Sequence, residues 1–225
     1  MGCSPDEGAA AAVGAAAVSD ALEALLARTE IARLAALLAE RPGLVLERAE
    51  PDPDPRPLRH AAVALVLRHG PEGEPELLMI KRAEHEADPW SGHIALPGGR
   101  HEPGDATLVE TAVRETREET GLDLARAGRI LGTLDEISPM TPVLPRIVVR
   151  PHVALLGGST EVTPSHEVAA AFWVPLSALR EERGWSEATI VVRGRERRVA
   201  CFEYGEYLVW GLTERVLRQF VGMFD

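Results

Sequence analysis

No apolar run in this sequence approaches the roughly 20 residues a helix needs to cross a bilayer, so a membrane-spanning helix is not expected. The opening Met1-Gly2-Cys3-Ser4 has no hydrophobic stretch behind it, so neither a signal peptide nor a lipidated cysteine is expected. Cysteine is scarce: Cys3 and Cys201 stand almost the whole chain apart, which provides no disulfide framework and predicts a reducing, cytoplasmic setting. Basic residues are also few, 24 Lys and Arg against 35 Asp and Glu, for a formal net charge of -11. That balance argues against duplex nucleic acid as a partner, because counterion release needs clustered cations facing the phosphates. No long internal repeat is found.

What is there is a hydrophobic share of 45% with 26% charged residues, the composition of a soluble globular protein. A length of 225 residues suits one domain with an appendage. If the ligand is anionic, its repulsion by this acidic chain must be offset, and divalent cations held by carboxylates would do so.

Three segments emerge. Residues 1–50 form a leader, in which 5–18 are Ala and Gly rich and are expected to be poorly ordered. From Ser19, the residues Leu22, Leu25, Leu26, Ile31, Leu34, Leu37 and Leu38 recur at helical spacing until Pro42-Gly43, predicting one amphipathic helix or two short ones. Their stripe is expected either to pack on its own domain or to form a homodimer contact. Residues 51–57, at the end of the run EPDPDPRP, read as a linker, since its prolines remove donors and fix the backbone.

Residues 58–225 form the main domain. His60 to His69 and Glu76 to Arg82 predict a hairpin across GPEGEP, and further strands are expected at GRILGTLDEI, RIVVRPHVALL and EVAAAFWVPL. ATIVVRG and RRVACFEY predict a second hairpin, and a helix closes the chain from about Gly211 to Val221. Dispersed helices among more numerous strands predict an α/β sandwich with a mixed sheet between helices.

The chemistry lies in LPGGRHEPGDATLVETAVRETREETGLDL, Leu96 to Leu124. A helix is predicted over Asp105–Thr120, with Asp105 as N-cap and Gly121 as the stop. On it Glu115, Glu118 and Glu119, at offsets of three and four, project from nearly one face, beside a packing stripe of Leu108, Val109, Ala112 and Thr116. Clustered hard oxygens suit Mg²⁺ or Mn²⁺, which bind substrate phosphates directly and activate water. Arg114 can pair with a carboxylate and fix its orientation. Gly98-Gly99 permits close backbone approach to a ligand, and a carbonyl there can complete a coordination sphere.

These residues resemble the Nudix hydrolases, whose box reads G-x5-E-x7-R-E-U-x-E-E-x-G-U with U apolar. Arg114-Glu115-Thr116-Arg117-Glu118-Glu119-Thr120-Gly121-Leu122 matches its second half. Counted from Gly99, the stretch before Arg114 is one residue longer, so that Asp105 stands near the first box glutamate, and Thr116 replaces an apolar residue. The resemblance implies a Nudix-type α/β/α sandwich with a mixed β-sheet, here with an N-terminal helical extension. It further implies metal-assisted hydrolysis of a nucleoside diphosphate linked to another group.

Pro89-Trp-Ser-Gly-His-Ile-Ala-Leu-Pro-Gly-Gly99 and Tyr207-Leu-Val-Trp210-Gly211-Leu-Thr213 resemble segments of the coenzyme A diphosphatase group, although Trp90 stands where that group usually has histidine. That branch implies coenzyme A or a derivative as substrate. ADP-ribose, dinucleoside polyphosphates or oxidised nucleoside triphosphates are the other Nudix substrates to weigh. A noncatalytic nucleotide-sensing module would be marked by a lost metal carboxylate, and all three are present.

Outside the box, Glu167 can be a further metal ligand, the general base, a role open to Glu118 as well, or a loop carboxylate that keeps a strand edge soluble. Arg82 and His93 can contact phosphate, and His93 can equally be a structural polar group. Trp90 can stack on a base or fill a gap. His101 and Glu102 read as solvated.

Overall fold

Arg59–His69 is apolar along nearly its whole length because it becomes β1, the central strand of a seven-stranded mixed sheet covered on both faces. In the computed structural model, residues 5–46, 54, 56–85, 90–139, 146–192 and 194–225 are described. β2 (Pro75–Arg82) returns antiparallel to β1 across the expected hairpin, with Leu67 opposite Leu77. β3 (Ile94–Ala95) pairs with β2, and β4 (Gly98–Arg100) pairs with the first half of β1. β5 (Gly128–Thr133) lies antiparallel to β6 (Ile147–Leu156), which runs parallel to β1 from Arg59↔Ile147 to Leu67↔Leu155. β7 (Val168–Pro175) closes on β2.

The pleat sorts the core into two layers. Ala62, Ala64 and Val66 of β1 face one side, with Leu78, Ala154 and Leu156, and there they meet α3 (Leu108–Thr120) and α4 (Leu124–Ala127). Ala61, Leu65 and Leu67 face the other side. That face is covered by the leader, α1 (Pro5–Leu26) and α2 (Thr29–Glu40), and by the C-terminal α6 (Leu212–Val221). The result is the expected α/β/α sandwich with helices added at its N-terminus.

Two readings of the leader are resolved. The break at Ala27-Arg28 makes two helices rather than one, and the apolar stripe packs on its own sheet: Leu25, Ile31, Leu34 and Leu38 are all buried in the core. At ~1.5–3 kcal/mol for each fully buried aliphatic side chain, these four are structural members of the domain. α1 begins at Pro5 and so takes in the Ala- and Gly-rich residues 5–18, alanine being the strongest helix former. Most of the 51–57 linker lies outside the described residues.

After β7, α5 (Leu176–Arg180) leads to a separate three-stranded antiparallel sheet of β8 (Trp185–Val192), β9 (Arg195–Tyr204) and β10 (Tyr207–Trp210). The β8–β9 hairpin was expected, whereas β3, β4 and β10 are too short to show a strand periodicity of their own. Among the described residues no helix is long and apolar enough to cross a membrane.

Candidate active site

The helix that carries the carboxylates starts later than the sequence predicts. Its N-cap is Thr107, whose hydroxyl accepts the Glu110 N–H at 3.2 Å, while the Glu110 carboxylate reaches back to the Ala106 N–H at 2.8 Å, as in a capping box. Asp105 does not cap, because its carboxylate is already engaged. It accepts from Arg114 Nε at 2.9 Å and Nη2 at 3.0 Å, and from the Thr111 hydroxyl at 2.9 Å. The Arg114 guanidinium therefore holds the Asp105 carboxyl well below the usual carboxylate range. α3 ends as expected at Gly121, in the left-handed conformation at φ 75°.

Arg114 is a four-way clamp. Besides Asp105, its Nη1 lies 3.0 Å from Glu115 Oε1 and 3.0 Å from Glu118 Oε2, and its Nη2 donates to the Arg100 carbonyl at 3.1 Å. It thereby ties the loop before α3, the end of β4 and two of the three helix carboxylates into one unit.

The three carboxylates differ sharply in surroundings. Glu118 is half exposed, whereas the Glu115 side chain is 15% exposed and Glu119 is 3% exposed. Of the three, only Glu118 stands in solvent, because α3 presses the other two carboxylates against β4. Gly98 donates its N–H to Glu119 Oε2 at 2.8 Å, and Arg82 Nη1 lies 3.7 Å from Glu119 Oε1. Burial pushes the Glu119 carboxyl up to about 7, opposed by the Gly98 hydrogen bond and the Arg82 charge. Burial also raises the Glu115 carboxyl, with Arg114 opposing.

Gly98 is required by the backbone packed against it, and Gly99 by the place that the Glu115 carboxylate takes. A Cβ at Gly98 would lie 2.3 Å from the Ala62 carbonyl oxygen, and one at Gly99 would lie 2.2 Å from Glu115 Oε1. β4 is therefore a strip of bare backbone between β1 and the carboxylates.

Arg82 and Glu167 also arrive at this cleft. The Glu167 carbonyl accepts the Ala83 N–H at 2.8 Å, next to Arg82, and the charge of Glu167 is close enough to raise the Glu119 carboxyl further. His93 lies on the approach to β3, where its carbonyl accepts the Arg82 N–H at 3.0 Å and its ring packs 4.4 Å from that of Trp210. Glu102, read as solvated, is near enough for its charge to act on Glu115. His101, also read as solvated, places Nδ1 2.9 Å from the Thr111 hydroxyl. The loop before Glu167 was not singled out, yet Thr163 and Ser165 donate their N–H groups to the Thr120 and Glu119 carbonyls at the end of α3.

The donor set suits a hard divalent cation: carboxylates of Glu115, Glu118 and Glu119, with the bare backbone at Gly99 against Glu115. Two of these carboxylates are desolvated and raised, a condition a nearby cation relieves. Among the described residues, no three His, Cys, Asp or Glu side chains are gathered tightly enough to enclose an ion as they stand. Arg114 draws Glu115 and Glu118 to itself, and Gly98 with Arg82 holds Glu119.

An α/β/α fold with an acidic helix against a glycine strip beside the central strand fits one class, the enzymes that hydrolyse phosphoric anhydrides. Comparison with known proteins places the chain within it. The NUDIX domain model matches residues 58–193, and the chain belongs to the Nudix hydrolase family. It is 34% identical over 163 residues to an uncharacterized Nudix hydrolase, NudL, of Photorhabdus laumondii, covering 72% of this chain and 82% of that one. A NudL of Yersinia enterocolitica is 35% identical over 164 residues, covering 71% and 78%. Among solved structures, a MutT/nudix family protein from Enterococcus faecalis shares the fold with a TM-score of 0.50 at 16% identity, covering 75% of this chain and 62% of that one.

Proposed function

We propose that this Nudix hydrolase cleaves the diphosphate of a nucleoside diphosphate linked to another moiety, with coenzyme A or a derivative as its preferred substrate. The products are then adenosine 3',5'-bisphosphate and a phosphopantetheine. One observation carries the substrate assignment. The two segments that resemble the coenzyme A diphosphatases, 89–99 and 207–213, are far apart in sequence, yet His93 of the first packs on Trp210 of the second, and Gly98 of the first donates to Glu119.

Glu115, Glu118 and Glu119, with the Gly99 carbonyl, would hold Mg²⁺ or Mn²⁺, which would offset the charge of the diphosphate and lower the pKa of water. The chain's own groups do the rest. Arg114 fixes the rotamers of Glu115 and Glu118, and Arg82, His93 and the Gly98 backbone face the phosphates. Glu167, exposed beside Glu119, accepts the proton of the attacking water on a carboxylate oxygen. The enzyme acts in the cytoplasm, the compartment that its two widely separated cysteines favour.

The test is a product-resolved assay of purified protein with Mg²⁺ or Mn²⁺, and an EDTA control, against coenzyme A, ADP-ribose, diadenosine polyphosphates and oxidised dGTP. Metal-dependent release of adenosine 3',5'-bisphosphate at the highest kcat/KM supports the assignment. Preference for another compound keeps the chemistry and discards coenzyme A, and silence on all favours a nucleotide-sensing module.

A further inference from the structure

The turn Ser165-His166-Glu167-Val168 is tied down through the backbone of Ser165, Glu167 and Val168. The Ser165 N–H donates to the Glu119 carbonyl at 3.0 Å, and the Ser165 carbonyl accepts the Val168 N–H at 3.1 Å. The Ser165 hydroxyl accepts the Glu167 N–H at 3.2 Å, and the Glu167 carbonyl accepts the Ala83 N–H at 2.8 Å. Two residues before Ser165, the Thr163 N–H donates to the Thr120 carbonyl at 2.8 Å.

These bonds have a geometric consequence. The last carbonyls of a helix lack intrahelical partners and must find donors elsewhere. Here the donors come from the loop that presents Glu167, so the end of α3 and that loop move together. The Ser165 hydroxyl is the one side-chain link in the chain of bonds: its amide faces Glu119 while its oxygen faces the Glu167 amide. Serine at this place in a turn commonly caps the amide two residues on.

We infer that Ser165 is a positioning residue, which holds the Glu167 carboxylate in register with Glu119 through a hydroxyl that caps the Glu167 amide. It touches no substrate and acts only through Glu167. The inference rests on the proposed role of Glu167 as the proton acceptor, so its test must read the two separately.

Two measurements do so. Hydrogen exchange reads the turn without any substrate: Ser165→Ala should speed exchange of the Glu167 amide, and Ser165→Thr, which keeps the hydroxyl, should restore its protection. Unchanged exchange in Ser165→Ala overturns the proposal. Kinetics read the function: Ser165→Ala should lower kcat about tenfold, with KM, Mn²⁺ affinity and Tm unchanged, and Ser165→Thr should recover it. Glu167→Gln should lower kcat by about 10²-fold or more, and adding Ser165→Ala to it should cost nothing further. A loss that adds in the double variant, or one that follows Tm, marks a structural role and overturns the inference while leaving Glu167 in place. An undiminished Glu167→Gln removes the proton acceptor and the function of Ser165 with it.

Discussion

The Gly98 N–H points at Glu119 Oε2 from 2.8 Å, so the bare backbone of β4 supplies the nearest donor to the most buried carboxylate of the site. That carboxylate carries a stability cost as well as a role. Its pKa is raised to about 7 in the folded protein against 4.5 unfolded, so its contribution is present below about pH 4.5 and is lost as pH rises through about 7.

Glu119→Gln should nearly abolish turnover, because a neutral amide binds Mg²⁺ poorly. In EDTA at pH 8 the same variant should melt at or above the temperature of the parent, since it removes a buried negative charge and its amide oxygen still accepts from Gly98. Retained activity with an unchanged melting curve would take Glu119 out of the mechanism.

Arg114→Lys keeps the charge and loses the fork that engages Asp105 through both Nε and Nη2. The expected result is a 10–100-fold drop in kcat/KM together with a loss of about 2 kcal/mol of stability, from charge-assisted bonds to a largely buried carboxylate. Asp105→Asn should produce a similar loss, and the two together should cost less than their sum. Strict additivity in urea unfolding would show that the pair does not act as a unit.

Gly99→Ala tests the strip against α3. The new Cβ would stand 2.2 Å from Glu115 Oε1. A flexible carboxylate can swing away at small cost, so the melting temperature should hold. Its displacement should lower kcat/KM tenfold or more and raise the Mn²⁺ concentration needed for half activation. A normal metal activation curve would show that Glu115 does not need its place beside Gly99.

How much of this was legible in the sequence depended on how local the signal was. The acidic triad, Gly98-Gly99 and the stop at Gly121 follow from spacing along one helix and one turn. The helix start was misplaced, because Asp105 and Thr107 are both good caps, and only the tertiary pairing of Asp105 with Arg114 decides between them. The burial of Glu119 was likewise hidden: in sequence it looks like Glu118, and it is the packing of α3 onto β4 that separates 3% exposure from 53%. Thr163 and Ser165 gave no signal, since their bonds to α3 are made by backbone amides.

His152, on β6 in the layer under α3, was read only as part of a strand, and it gives the fold an acid limit. Its side is buried, and among the described residues neither ring nitrogen has a hydrogen-bond partner. Burial, with the charge of Arg150 added, pushes its pKa down to about 4 from 6.5. A lowered histidine pKa means that the unfolded chain binds the proton more readily. Stability is therefore full above about pH 6.5 and falls as pH drops toward about 4, by about 3 kcal/mol in all. His152→Leu should flatten that part of the unfolding curve measured by urea titration between pH 4 and 7, leaving the slope from the other acids. It should also leave kcat at pH 8 close to that of the parent, because the ring lies beneath the helix. An acid slope that survives the substitution would assign the limit to another group.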